Sequence, residues 1–121
     1  MGMESYEIGK EGEEIAQDYL QKLGYQILER NYRSQQGEVD IIARDRDFLV
    51  FVEVKYYSYR SYGSPVGAVR KAKKQSVIHA AQTYIYKNNI KNTYCRFDVV
   101  AIYRRSNSMK IDYYKDAFYV D

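Results

Sequence analysis

The sequence predicts a single α/β domain, built as a mixed β-sheet with helices on both faces. Two long segments place apolar residues at helical spacing, and five shorter segments are rich in β-branched and aromatic residues. Their order along the chain is α-β-β-β-α-β-β, which is typical of a mixed sheet covered by helices. The 121 residues, 45% of them hydrophobic and 29% charged, suffice for one core, so residues 1–121 are expected to form one domain.

The first helix is expected from about Glu4 to Leu23, because apolar residues recur there at helical spacing and Gly24 provides a stop. Gly12 falls in the middle of the apolar stripe. A glycine inside a helix costs roughly 1 kcal/mol relative to alanine, so we expect another backbone to approach Gly12 closely. Glu13 lies at the border of the stripe and can reach along the protein surface beside the sheet.

The second helix is expected from about Pro65 to Asn88, since Ser64 is a favourable N-cap and proline fits the first turn. Its apolar stripe is predicted to consist of Val77, Ile78, Ala81 and Ile85. Continued toward the helix start in steps of four, this stripe reaches Lys74 and Arg70. We therefore expect those two cations to point toward the sheet.

Five strands are expected, at residues 25–32, 38–44, 48–54, 96–104 and 109–120. The last segment also allows a shorter strand followed by an extended tail. The third strand is the most hydrophobic, which predicts a central place in the sheet.

Composition excludes several classes of protein. No apolar run approaches the roughly 18 residues that a membrane helix needs, and the first residues lack the apolar core of a signal peptide. Cys95 is the only cysteine, so an internal disulfide or a thiolate metal cluster cannot form, and we expect it to be a small buried hydrophobe. These features favour a cytoplasmic protein without a membrane partner, and they leave a homodimer open.

The stretch GEVDIIARDRDFLVFVEVK contains acids where a plain buried strand would have none. If its two strands form an antiparallel hairpin in which paired residue numbers sum to 93, Arg44 lies opposite Leu49 and Asp40 lies opposite Glu53. Residues 45–48 would then form the connecting loop, a length suited to a type I turn. Opposed residues have Cβ atoms roughly 4.5–5.5 Å apart, so this register predicts a pair of neighbouring carboxylates.

Two half-buried carboxylates repel each other unless one takes up a proton or a cation lies between them. Mg²⁺ and Mn²⁺ prefer oxygen ligands, and Mg²⁺ typically uses one or two carboxylates with water and phosphate oxygens. Lys55 shares a strand face with Glu53 and can orient a water or stabilise charge on a phosphate. The alternative is a set of surface ion pairs with Lys55 and Arg44, each worth roughly 0–1 kcal/mol.

The net charge of +3 is concentrated in one region of the chain. Its basic residues are Arg60, Arg70, Lys71, Lys73 and Lys74, a local cluster that suggests a polyanionic partner or, equally, a solvated helix face. Four tyrosines interleave with Arg60, at positions 56, 57, 59 and 62. They are suited to stacking on unpaired bases or to packing on the sheet edge. Asp98 beside Arg96 predicts an ion pair, with a role in supporting the site as the alternative.

Several separated segments, in the same order, carry a resemblance to a known family. They are GKEGEEIAQDYL, GYQILERNYR, GEVDIIARD, LVFVEVK, KKQ with AAQTYI, and RFDVVAI, together spanning residues 9 to about 103. On these motifs the chain resembles the YraN-like family, part of the restriction-endonuclease-like (PD-(D/E)xK) nuclease superfamily that also includes archaeal Holliday-junction resolvases. Val39 stands where the superfamily motif has proline.

The resemblance implies an αβββαβ nuclease core in which Asp40, Glu53 and Lys55 match the catalytic triad. It further implies that Glu13 matches an acid contributed by the first helix, and that Lys74 and Gln75 match a basic and amide pair near the scissile phosphate. We expect Mg²⁺ or Mn²⁺ to bind Asp40, Glu53 and the backbone carbonyl of Val54.

The function expected on these grounds is metal-dependent hydrolysis of DNA, including branched or single-stranded structures. Phosphate contacts are expected from the basic cluster and Gln75. The alternatives are a nucleic-acid-binding module without catalysis and an interaction protein whose acids form ordinary ion pairs.

Overall fold

The computed structural model describes residues 2–57 and 71–118, with side chains from Lys10 onward in the first range. Its elements are α1 Gly2–Lys22, β1 Gln26–Arg33, β2 Glu38–Asp45, β3 Phe48–Tyr57, α2 Lys71–Lys87, β4 Tyr94–Arg105 and β5 Ser108–Phe118. The five strands form one sheet in the order β1-β2-β3-β4-β5, antiparallel except for the parallel pair β3 and β4. The predicted mixed sheet and the central position of β3 are confirmed.

Each face of the sheet forms its own hydrophobic core. Along β3, Val50 and Val52 pack with Leu20 of α1, whereas Phe51 packs with Val77 of α2 on the other face. All five side chains are fully buried, and burying one such side chain contributes roughly 1.5–3 kcal/mol. The two helices therefore cover opposite faces, as the sequence predicts for an αβββαβ core.

Both helices end in the same hydrogen-bonded motif. Gly24 has a φ of 95°, and the Tyr25 N–H donates to the carbonyl oxygen of Leu20 at 3.1 Å. At the end of α2, Asn89 takes the left-handed place with a φ of 51°, and Ile90 donates to Ile85 at 3.0 Å. These bonds satisfy carbonyls that a helix end leaves free, which confirms the stop predicted at Gly24.

The helices differ from the sequence-based expectations at Gly12 and along α2. A Cβ on Gly12 would lie 3.0 Å from Cδ2 of Tyr56, so the close neighbour is a side chain and the expected backbone contact is wrong. The predicted start of the second helix at Ser64 and Pro65 lies outside the described residues. The buried residues of α2 are Val77, Ala80, Ala81 and Tyr84.

The inward face of α2 is therefore rotated from the predicted stripe. Tyr84 packs its ring against Tyr32 and Phe51, at centroid distances of 5.2 and 6.3 Å, so this tyrosine, which the predicted stripe omits, belongs to the core. Lys73 lies four residues before Val77 and therefore continues the inward face toward the start of the helix. Lys74 is half-buried, and its orientation toward the sheet stays a prediction; Arg70 lies outside the described residues.

The β2–β3 hairpin has the predicted register and a shorter turn. Arg44 pairs with Leu49 and Asp45 pairs with Phe48, so the loop contains only Arg46 and Asp47. The predicted loop of residues 45–48 around a type I turn is wrong. A two-residue hairpin turn needs positive φ to follow the twist of its strands, and Arg46 has a φ of 55°.

Arg96 and Asp98 form a buried network on the α1 face. The Arg96 Nε donates to both oxygens of Asp98 at 3.0 Å, and Nη1 lies 3.1 Å from a carboxylate oxygen of Asp45. Tyr25 and Tyr113 accept from Nη2, at 3.1 and 3.2 Å. The ion pair is confirmed, and because these partners lie on the face opposite Glu53, the network does not touch the acid pair.

Cys95 is exposed, so its expected burial is wrong. It is the second residue of β4, and burial along that strand begins only at Arg96.

Candidate active site

The candidate site lies where β2 and β3 stop pairing. The ladder runs from Asp45 opposite Phe48 to Ile41 opposite Val52. At the next position the Val54 N–H donates to Oδ2 of Asp40 at 2.8 Å. A side-chain oxygen thus replaces a backbone acceptor, which fixes the Asp40 carboxylate beside the backbone that leads to Glu53.

Glu53 is the buried member of the acid pair, with 2% of its side chain exposed. Burial raises its pKa to about 9, and the hydrogen bond and charge of Asp40 act in the same direction. Lys73 and Lys55 oppose this rise without cancelling it. At neutral pH, Glu53 therefore holds a proton unless a further cation neutralises the pair.

Within residues 2–57 and 71–118, one oxygen of this buried carboxyl accepts no hydrogen bond. Glu53 Oε1 is unpaired among the residues that the structure describes, while Oε2 lies 3.4 Å from the Lys73 ammonium. A buried polar atom without a partner costs roughly 1–3 kcal/mol, and a bound cation would remove that cost at this oxygen.

Lys73 reaches the acid pair from α2 because a close contact fixes that helix. The Lys73 ammonium lies 3.1 Å from Oε1 of Glu38 and thus bridges two acids. A Cβ on Gly37 would lie 1.9 Å from the carbonyl oxygen of Ser76, and the Glu38 N–H donates to the Ser76 hydroxyl at 3.1 Å. Only glycine allows this approach of the β2 start to the helix.

Lys55 stands two residues after Glu53, half-buried and on the same face of β3. Its charge lowers the pKa of Glu53 and so offsets a small part of the rise caused by burial. The structure thus places Asp40, Glu53 and Lys55 together, as the predicted register requires.

Glu13 approaches the site from α1. Asn31 Nδ2 donates to its Oε2 at 2.7 Å, and Arg30 Nη2 lies 3.7 Å from the same oxygen. Burial raises the pKa of Glu13, and the charge of Asp40 adds to the rise. Asn31 has a φ of 52° inside β1, a conformation that asparagine tolerates better than most residues.

Oxygen donors for a hard cation come from few residues. Within 2–57 and 71–118, no group of three or more His, Cys, Asp or Glu side chains is arranged to hold a metal. Asp40, Glu53 and the carbonyl of Val54 offer two carboxylates and one neutral oxygen, a set that fits Mg²⁺ with its usual complement of water. The unpaired Glu53 Oε1 is consistent with such a ligand.

The described residues that were predicted to contact phosphate lie in the first turns of α2. Lys71 and Gln75 are exposed and Lys74 is half-buried, whereas Arg60 and Arg70 lie outside the described residues. Lys73 differs from its neighbours because its ammonium is paired with acids.

Sequence reasoning missed four residues that organise the site: Gly37, Glu38, Asn31 and Ser76. The glycine directly before the acidic strand was the available signal, since a glycine at a strand end often marks close backbone approach.

Neither helix, over the part of the chain that the structure describes, is long and apolar enough to cross a membrane.

Comparisons with known proteins agree along nearly the whole chain. Residues 12–102 match the family model described as "Uncharacterised protein family UPF0102". A UPF0102 protein of Flavobacterium psychrophilum is 41% identical over 116 residues, covering 96% of this chain and 97% of the relative. One from Chlorobium chlorochromatii is 45% identical over 121 residues, covering 95% and 93%. One from Clostridium botulinum is 51% identical over 98 residues, covering 79% of each. The chain therefore belongs to the UPF0102 family, the YraN-like family that its motifs resemble.

Proposed function

We propose that this protein is a Mg²⁺- or Mn²⁺-dependent endonuclease of the restriction-endonuclease-like superfamily that hydrolyses phosphodiester bonds in DNA. The observation that carries the proposal is Glu53, a buried carboxyl group beside Asp40 with a pKa raised to about 9 and one oxygen that accepts no hydrogen bond from the residues that the structure describes. Burying two acids together is unfavourable for folding alone. A divalent cation removes the repulsion and gives the arrangement a purpose.

Each residue then has a distinct role. Asp40, Glu53 and the Val54 carbonyl would hold the cation, which supplies Lewis-acid stabilisation of the phosphate and a more acidic water. Lys55 donates to the attacking water or to the oxyanion that develops on phosphorus. Glu13, oriented by the hydrogen bond from Asn31, would accept a hydrogen bond from a water near Asp40.

A non-catalytic nucleic-acid-binding module is the second candidate, favoured by one observation. The Lys73 ammonium lies 3.4 Å from Glu53 and 3.1 Å from Glu38, so part of the acidic charge is already balanced within the protein. In that case Lys71 and Lys74 would bind phosphates beside a site that takes no metal.

Calorimetric titration with Mn²⁺ separates the two candidates. Asp40→Asn keeps an oxygen acceptor for the Val54 N–H, so the fold should persist while Mn²⁺ affinity falls by at least tenfold. Glu38→Gln is the matched control, because Glu38 also contacts Lys73 but is not among the expected ligands, and it should bind Mn²⁺ like wild type. Equal Mn²⁺ affinity in wild type and Asp40→Asn refutes the metal site.

Cleavage is tested on the same proteins with duplex, gapped and branched DNA. Wild type and Glu38→Gln should cut with Mn²⁺, and Asp40→Asn should not. If wild type binds DNA and cuts none of these substrates, the binding module is the better description.

A further inference from the structure

A pair of stacked tyrosines follows the proposed site along the sheet. Tyr57 of β3 and Tyr103 of β4 are direct partners in the parallel ladder. Their ring centroids are 5.3 Å apart and their planes differ by 21°. Both side chains are half-buried, so part of each ring remains accessible.

The stacked pair lies on the same face as the acid site. Side chains alternate along a strand, so Glu53, Lys55 and Tyr57 project from one face of β3. Tyr57 stands two residues beyond Lys55, a rise of roughly 7 Å. A nucleotide whose phosphate lies at Lys55 could therefore place its own or the next base against the tyrosine rings.

The two rings come from neighbouring strands, so the sheet itself holds their spacing. Such a preformed aromatic surface loses little freedom when a flat ligand stacks on it.

We propose that Tyr57 and Tyr103, here called the tyrosine row, form a stacking surface for an unpaired base next to the phosphate at the acid site. Aromatic side chains on a sheet bind single strands by stacking on successive bases with little sequence preference. A base inside a duplex is already stacked on both sides and cannot use this surface. The inference rests on the proposed nuclease function for the position of the phosphate, and it assigns DNA with single-stranded nucleotides at the cleavage point as the substrate class.

Stacking is measured without cleavage, in EDTA, with 2-aminopurine placed in a single-stranded oligonucleotide. The fluorescence of this base falls when it stacks on an aromatic ring. Wild type should quench it, and should bind the single strand at least tenfold more tightly than a blunt duplex of the same length. Unquenched 2-aminopurine in a saturated complex, at each position tried along the oligonucleotide, overturns the proposal.

Variants assign the effect to the tyrosine row. Tyr57→Leu and Tyr103→Leu should each weaken single-strand binding by about tenfold, while Tyr57→Phe retains the ring and should bind like wild type. Tyr94→Leu is the matched control, because Tyr94 is 70% exposed on the same strand as Tyr103 and also pairs with a ring, Phe48, at 5.7 Å. It should leave binding unchanged.

The outcomes separate this inference from the nuclease proposal. Quenching that depends on Tyr57, in a protein that cuts nothing, supports the tyrosine row and refutes catalysis. Cleavage by wild type, with single-strand affinity equal in wild type and both leucine variants, supports catalysis and overturns the tyrosine row.

Discussion

Replacing Glu53 by glutamine should stabilise the protein, increasingly so as the pH rises. The side chain is 2% exposed and its pKa is raised to about 9, mainly by burial. A raised pKa means that the protonated acid is the form favoured by folding. The stability that the protonated Glu53 contributes is complete below pH 4.5, the ordinary pKa of glutamate, and is lost as the pH rises toward 9.

The magnitude follows from the two pKa values. Each pH unit between them corresponds to about 1.4 kcal/mol of differential stability. At pH 5 the unfolded chain has only begun to ionise, and Glu53 costs the folded state about 1 kcal/mol; at pH 8 the cost is about 5 kcal/mol. Glutamine resembles the protonated acid at every pH. The stability advantage of Glu53→Gln over wild type should therefore grow by about 4 kcal/mol between pH 5 and pH 8.

Urea unfolding of both proteins in EDTA, at pH 5, 6, 7 and 8, gives this difference directly. Glu38→Gln is the control, since Glu38 shares the Lys73 ammonium but has a side chain 47% exposed, and it reports the effect of disturbing Lys73 alone. A Glu53→Gln difference that stays constant over this range would show that Glu53 is ionised throughout, and the reasoning from burial would fail.

Manganese provides a second measurement on the same proteins. A cation that replaces the proton should bind more weakly at pH 5 than at pH 8, so a fixed Mn²⁺ concentration should stabilise wild type more at pH 8. A concentration of one hundred times the Kd at pH 8 corresponds to about 2.7 kcal/mol of stabilisation at that pH. Glu53→Gln should gain much less. Equal stabilisation of both proteins would place the bound ion elsewhere.

Three further predictions address catalysis, DNA binding and helix packing. Lys55→Ala should keep Mn²⁺ and DNA affinity but lower the rate of single-turnover cleavage by ~10²–10³, and Lys55→Arg should restore this rate only in part. Equal cleavage rates in wild type and Lys55→Ala would reduce Lys55 to an ion-pair partner. The double variant Lys71→Ala with Lys74→Ala leaves Lys73 paired with the acids. It should lower the slope of log affinity against log salt for duplex DNA by roughly 0.9 per lost phosphate contact. An unchanged slope would assign both lysines to a solvated surface. Gly37→Ala should lower the free energy of unfolding, measured in urea, by more than 2 kcal/mol, because the added Cβ would lie 1.9 Å from the Ser76 carbonyl oxygen. An unchanged free energy of unfolding would contradict the close contact.

The part of the site carried by local alternation could be predicted from the sequence. Two apolar runs, separated by a short charged break, admit one hairpin register that buries both, and that register brings Asp40 to Glu53. The central place of β3 follows from hydrophobicity for the same reason. The turn itself could not be predicted, because Arg46 adopts positive φ without being glycine or asparagine.

Long-range packing explains what the sequence did not reveal. The choice between Lys73 and Lys74 depends on how α2 is rotated, and that depends on the Tyr84 ring between Tyr32 and Phe51. The contact of Gly37 with Ser76 joins residues far apart in the chain, so neither residue carries a local sign of the other. Tertiary contact, and not propensity, therefore decides which cation meets the acid pair.

The bond from the Val54 N–H to Asp40 has a consequence for how this family is interpreted. Because the Asp40 oxygen completes the hydrogen bonding of β3 where the ladder ends, a homologue without the proposed nuclease activity would still need an acceptor there. An aspartate at this position therefore reports on the integrity of the strand, whether or not the protein cuts DNA. The Lys55 ammonium only donates hydrogen bonds and cannot serve as that acceptor, so under the proposed function its presence or loss is the better marker of activity among relatives.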